Sequence, residues 1–337
     1  MRGMWCALLL LSCGSNTSSR AVATGGGAGS GMDAAVDVAA DGPGGNAGTS
    51  GTGGTGGSAG TPCPTFAEGV VKGSVASTAI TEASGIVASR KYDGVLYVHN
   101  DSGDSARFFA LGSDGSDLGE YALSGAGAVD WEDLALGPGP VAAESYVYLG
   151  DIGNNNLNRP QLQVYRVPEP AQPSGPGTSQ LGSVETFVIS YADGAHNAEA
   201  MMVDPSDQRL VIVTKDATGT AQVFQSPAAL PAGGGTLVLD EVARLQFGQG
   251  ALVGSPLVTG GDISADGRLV ALRTYTHAYL WRRAPGQTLA AALATPPCPL
   301  PTRAEAQGEA IGFVPDASGY YTVSEGSAQA LYFFARN

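Results

Sequence analysis

The chain has 337 residues, a net charge of −14 and a pI near 4.5, a balance that argues against nucleic acid and against electrostatic attraction to anionic lipid. With only 3 Lys and 14 Arg, the placement of each cation is informative. The first sixty-odd residues hold almost nothing that could form a core, so roughly 270 residues are left for one large domain.

Residues 1–12 read as an export signal: Arg2 gives a minimal positive start, Leu8 to Leu11 an apolar stretch, and Leu10-Leu11-Ser12-Cys13 has the form of a bacterial lipobox. The apolar run is well short of the roughly 18–20 residues that cross a bilayer. The expectation is a lipidated Cys13 and a membrane anchor facing the extracytoplasmic side of a bacterial cell envelope, with no other membrane contact. Residues 13–62, rich in Gly, Ser, Thr, Ala and Asp, have too few apolar side chains to offset their conformational entropy and read as a disordered linker. Such a coil reaches about 35–40 Å. With Cys6 leaving in the signal and Cys13 lipidated, Cys63 and Cys298 remain as a disulfide pair in an oxidising compartment, worth about 5 kcal/mol on a chain-entropy basis; two free thiols are the alternative.

Residues 63–337 alternate short runs of Val, Tyr, Leu and Ile with turn clusters, and no long segment has a 3.6-residue period, so the domain is expected to be all-β. Asp93-Gly94 and Asp266-Gly267 have the composition of type I′ hairpin turns. Five segments carry an acid at the start of a short apolar strand: Glu82-Ala-Ser-Gly-Ile86, Trp131-Glu-Asp-Leu134, Ala198-Glu-Ala-Met-Met202, Gly261-Asp-Ile-Ser264 and Gly308-Glu-Ala-Ile-Gly312. A second apolar strand with a polar end follows each: Val95–Asn100, Tyr146–Asp151, Leu210–Lys215, Leu269–Thr274 and Tyr320–Glu325. Successive acids lie 50, 67, 63 and 47 residues apart, the spacing of propeller blades with variable loops. The reading is a five-bladed β-propeller in which Phe66 to Val75 supplies the outer strand of the last blade and removes an open edge. A six-bladed ring is the runner-up.

His99-Asn-Asp-Ser-Gly-Asp104, Asp130-Trp-Glu-Asp133, Gly150-Asp-Ile-Gly-Asn154 and His196-Asn-Ala-Glu-Ala200 make residues 80–335 similar to a group of uncharacterised exported bacterial propeller proteins, a resemblance that implies architecture and export but no activity. The repeat starts also resemble those of calcium-activated nucleotidases (apyrases), five-bladed propellers with one axial Ca²⁺. That resemblance puts Ser84, Glu132, Glu199, Asp262 and Glu309 on the ligand positions. Asp262 stands where that family is expected to have Ser, and the nucleotide-contacting segments have no counterpart.

In a propeller the innermost strands line the axis, so Glu132, Glu199, Asp262 and Glu309 would share one tunnel, with Glu82 nearby. Two like charges about 5 Å apart repel by roughly 3 kcal/mol at an effective dielectric of 20. Protons or a cation must answer that repulsion, and oxygen ligands with no Cys/His set favour Ca²⁺ over zinc. The alternative is that these acids cap strand backbones or pair with Arg. The same face is expected to gather His99, Asn100, Asp101, Asn154, Lys215 and Arg273 as ligand-binding residues, with Lys215 and Arg273 clamping a phosphate and Glu325 or Asp151 acting as base. Salt bridges to rim acids are the other reading of Lys215 and Arg273, and His196 and His277 read as loop or strand residues. Outside the low-complexity glycines of the linker, neither a Gly-x-Ser-x-Gly elbow nor a phosphate-binding Gly loop is present. Two functions remain open. One is a monomeric envelope lipoprotein whose propeller face binds a small molecule, glycan or protein over a structural ion; the other is a Ca²⁺-dependent hydrolase of phosphoesters or phosphoanhydrides.

Overall fold

The computed structural model describes residues 62–172 and 175–337; the expected signal, Cys13 and nearly all of the linker lie outside them. β1 (Val70–Ser74) comes first. It is followed by β2 (Ala83–Ala88), β3 (Val95–Asn100), β4 (Arg107–Gly112) and β5 (Asp117–Leu123), then β6 (Trp131–Pro138), β7 (Ser145–Asp151), β8 (Leu162–Pro168), β9 (Thr178–Leu181) and β10 (Glu185–Tyr191). Next are β11 (Ala198–Val203), β12 (Leu210–Thr214), β13 (Thr220–Gln225) and β14 (Gly235–Gln246), and β15 (Val258–Ile263), β16 (Leu269–Thr274) and β17 (Ala278–Arg282). A five-residue helix α1 (Leu289–Leu293), β18 (Cys298–Leu300), β19 (Gly308–Phe313), β20 (Gly319–Ser324) and β21 (Ala330–Ala335) complete the chain.

Three sheets run β2-β3-β4-β5-β9, β15-β16-β17-β18 and β19-β20-β21-β1. The fourth has eight strands because two meanders, β6-β7-β8-β10 and β11-β12-β13-β14, are joined where β10 pairs in parallel with the first residues of β14. Among the described residues, the long stretch between Asp133 and Glu199 adds no separate sheet: β9 pairs with β5 of the preceding one. The first strands β2, β6, β11, β15 and β19 pack against one another in that cyclic order, with β19 returning to β2. The fold is a β-propeller.

Burial grades outward along each meander, and the sequence records it. β2, β3, β11, β12, β15, β16, β19 and β20 are buried at every position, as continuous apolar runs require when both sheet faces are covered. β5 and β10 alternate, with one face toward water. The core is accordingly split into clusters between adjacent sheets rather than gathered in one centre; one packs Tyr148, Phe187, Met201 and Phe224, another Val211, Val270, Tyr279 and Trp281.

The ring is closed by β1, antiparallel to β21 with Val70 opposite Phe333, and Cys63 forms a disulfide with Cys298 at the start of β18 in the adjoining sheet. The two Asp-Gly turns depart from the expected type I′ form, which needs a positive φ at both central residues. Only the glycines have one, Gly94 at 74° and Gly267 at 71°. The Val95 amide bonds Tyr92 O in the pattern of a type II turn, and the Gly267 amide closes a turn onto Ser264 O at 2.7 Å.

Candidate functional site

Each first strand slips register against its second strand across a single residue: Ser84, Glu132, Glu199, Thr259 and Glu309. A bulge re-aims the side chain it carries. Here it gives five equivalent positions at one end of the tunnel, all at most 5% exposed. Of the residues that follow each second strand, Asp101, Lys215, Tyr275 and Glu325 make an outer ring, whereas Ile152 is buried in the apolar core.

Three glutamates of the inner ring feel one another's charge. Burial and then the charges of Glu199, Asp101, Asp130 and Glu309 hold Glu132 well above the usual carboxylate range. Burial pushes Glu309 up to about 9, with a hydrogen bond donated to Glu325 by its protonated form and the charges of Glu325 and Glu199 adding to it. Glu199 is raised to about 7 by burial against the opposing pull of Lys215. Asp101, raised to about 6 for the same first reason, extends the acidic patch to the outer ring.

The tightest grouping is Asp101, Asp130 and Glu132, each bringing a carboxylate oxygen within 4.8 Å of the other two. Glu132 is 3% exposed, and no protein donor reaches its carboxylate among the described residues. Gly153 backs onto the group: a Cβ there would lie 2.1 Å from Glu132 Oε1 and 2.4 Å from Asp130 Oδ2. The donors are all oxygens, the set that suits a hard cation such as Ca²⁺.

Several expected site residues are engaged elsewhere. Asp262 is not the fourth-repeat counterpart of Glu132; Thr259 is, three residues earlier and about 10 Å back along the strand. Asp262 Oδ1 accepts the Ile263 amide and Oδ2 the Phe313 amide, both at 2.8 Å, so it ties β15 to β19. The twelve-residue interval from Asp262 to Thr274, against sixteen to nineteen in the other repeats, was the sequence signal of this slip. Ser84 does belong to the inner ring, but its hydroxyl donates to Glu132 O; Thr259 likewise donates to Gly308 O at 3.0 Å.

Arg273 is 1% exposed, bonded to Glu305 at 2.7 Å and to Ala310 O at 2.8 Å, too deep to clamp a ligand. Lys215 meets not Arg273 but Tyr275, whose hydroxyl it reaches at 2.8 Å, and it is ion-paired with Glu199. Burial works to lower the Lys215 pKa, and the Glu199 charge overrides it, so the ammonium is held charged. The salt-bridge reading of both cations describes the geometry.

Asp151, one candidate base, is fully buried; it accepts the Val129 amide at 3.2 Å and the Asp130 amide at 3.0 Å and pairs with Arg159 at 2.6 Å. Asn100 does the same work in its own sheet, accepting the Thr81 and Glu82 amides. His99 is buried edge-on against Trp131, with its pKa lowered to about 4 by burial, so it is neutral and away from the mouth. Asn154 knots its loop through Asn197 and Arg159. Glu325, half-buried, stays at the mouth and accepts from Gln307. Glu82 is exposed beside it. His196 pairs with Asp193 at 2.8 Å, and His277 with Thr276 at 2.9 Å, both as loop residues.

No family model matches the chain, and no curated protein does. Among solved structures, the WD40 repeats of RRP9 align over 82% of this chain and 99% of theirs at 9% identity and TM-score 0.45. The structure of U3-55K aligns over 81% and 100% at 9% and 0.42. The β-propeller domain of Myceliophteria thermophila Cps50 (Swd1) aligns over 79% and 99% at 11% and 0.42. At that level of likeness the fold rests on this chain's own strand order.

Proposed function

We propose that this chain is a lipid-anchored protein of the bacterial cell envelope, a five-bladed propeller that holds one Ca²⁺ at the mouth of its tunnel and binds a ligand or partner over that ion. The cyclic packing of five first strands and the core clusters between sheets support the blade count. The Leu10-Leu11-Ser12-Cys13 motif supports the anchor.

The observation that carries the ion is the convergence of Asp101, Asp130 and Glu132 within 4.8 Å around a buried carboxylate with no protein donor. These three residues would hold the ion, whose charge would favour the ionised forms of Glu199 and Glu309 in the same ring. The ion would neutralise the mouth and leave coordination positions for water or for oxygens of a ligand. A hydrolase reading has no comparable support, because Arg273 and Asp151 are committed to internal bonds.

The test is thermal unfolding of the full chain, stripped by chelator and then titrated with CaCl₂ or MgCl₂. The expected result is a rise in Tm that saturates with Ca²⁺ and is much smaller with Mg²⁺, whose octahedral demands the acidic mouth does not meet. A Tm indifferent to both ions would sink the reading.

A further inference from the structure

Cations are scarce in this chain, and nearly all are accounted for. Of the twelve arginines among the described residues, eight stand in ion pairs: Arg107, Arg159, Arg166, Arg209, Arg244, Arg273, Arg283 and Arg303. Arg90 donates to Leu136 O at 2.7 Å. The three whose guanidinium bonds nothing among the described residues are Arg268, Arg282 and Arg336, and all three line one cleft of about 770 Å³. Arg283 forms part of its wall, fixed by Asp204 and Gln287 O. The Cys63–Cys298 disulfide forms another part, and among the described residues no acidic side chain lines the cleft.

Four guanidinium groups around one cleft repel one another, and an acidic chain has ample carboxylate with which to neutralise them. It does so for seven arginines elsewhere and here only for Arg283, which Asp204 neutralises from behind the wall; Arg268, Arg282 and Arg336 are left without a carboxylate among the described residues. Charges beyond about 8 Å are screened at physiological ionic strength, so a ligand in the cleft meets the local arginines rather than the net −14. Planar guanidinium forks match the oxygens of a phosphate group, and several of them suit a dianion.

We propose that this cleft, on sheet β15-β18 beside the end of β21, binds a phosphate group, carried either by a soluble phosphate ester or by a lipid headgroup. The site is separate from the acidic mouth and does not depend on the calcium reading. Its location follows from strand direction: Arg268 precedes β16 and Arg282 ends β17, whereas the mouth residue Tyr275 lies between those strands at their other end.

The probe is inorganic phosphate, titrated into the full chain by calorimetry at low and at physiological salt, alongside Arg268→Gln, Arg282→Gln and the double variant. Saturable binding that weakens with salt is expected, with a loss of about tenfold for each substitution. Melting temperatures should be unchanged, because these side chains bond nothing that would be lost. A second arm sediments the same proteins with phosphatidylglycerol or phosphatidylcholine vesicles; an acyl anchor would bind both alike. A preference for phosphatidylglycerol that is removed by inorganic phosphate assigns the site to a headgroup, and phosphate binding without that preference assigns it to a soluble ester. Failure to bind phosphate together with no vesicle preference overturns the proposal, as does binding of equal strength in the double variant.

Discussion

Glu132 and Asp133 are neighbours on one strand, both buried and both raised well above the usual carboxylate range, yet they meet opposite surroundings. Asp133 accepts three backbone amides, from Leu134 at 2.8 Å, Met201 at 2.9 Å and Gly261 at 3.4 Å, and so joins the first strands of three meanders, β6, β11 and β15. Glu132, on the bulge, turns toward Asp101 and Asp130 and finds no donor among the described residues. Asp262 repeats the pattern of Asp133, while Glu199 and Glu309 share the ring of Glu132. A carboxylate on an inner strand is therefore structural when it saturates amides and a candidate ligand when it is left with only other acids for company.

The contrast can be broken from either side. The largest effect is expected from Asp133→Ala, which strands three buried amides and should cost about 3 kcal/mol or more of stability in denaturant unfolding. Glu132→Gln should act the other way in metal-free protein, raising Tm because it removes a charge from a repelling buried group. If both variants destabilise alike, the two carboxylates are not different in kind.

Proton linkage sharpens the same point. Glu309 at about 9, Glu199 at about 7 and Asp101 at about 6 lie above their ordinary values of 4.5 and 3.8, so the folded state binds more protons than the unfolded state across that window. The stabilisation is complete below the ordinary values and is lost as pH rises toward 9. Chelated protein should thus lose Tm between about pH 5 and 9, added Ca²⁺ should help most at the alkaline end, and Glu309→Gln should flatten the profile. The groups facing this patch are Glu82, Asp101, Asp130, Glu132, Glu199, Glu309, Glu325, Lys215 and Tyr275. A metal-free protein that gains stability with rising pH would contradict their coupling. The smallest effect belongs to Gly153→Ala, whose Cβ would crowd Glu132 and Asp130 and weaken Ca²⁺ binding by about tenfold with little change in metal-free Tm.

Much of the fold was legible because its signals are compositional. Continuous apolar second strands, a lone strand before the first repeat and a cysteine at each of two distant points all correspond to features of the fold. The candidate site was legible only where an acid happened to sit on a bulge. Nothing in the residue types distinguishes a bulged position from the next one along, so Asp262 was aligned with Glu132 while Thr259, an uncharged residue, holds that place. The sequence of Asp130-Trp-Glu-Asp133 assigns Asp130 no role, since its approach to Asp101 depends on the loop that Asp151 pins. Arg273 and Asp151 have the polarity of strand ends that face the mouth, yet both are buried and bonded internally. A shift of one residue in a strand turns a side chain from the mouth to the sheet interface.

The most direct measurement is Ca²⁺ titration by isothermal calorimetry of the full chain beside Glu132→Gln and Asp262→Asn. The account predicts one ion per chain, affinity reduced about a hundredfold or more in Glu132→Gln, and affinity retained in Asp262→Asn. No binding to the unmodified chain, or equal loss in both variants, would contradict it.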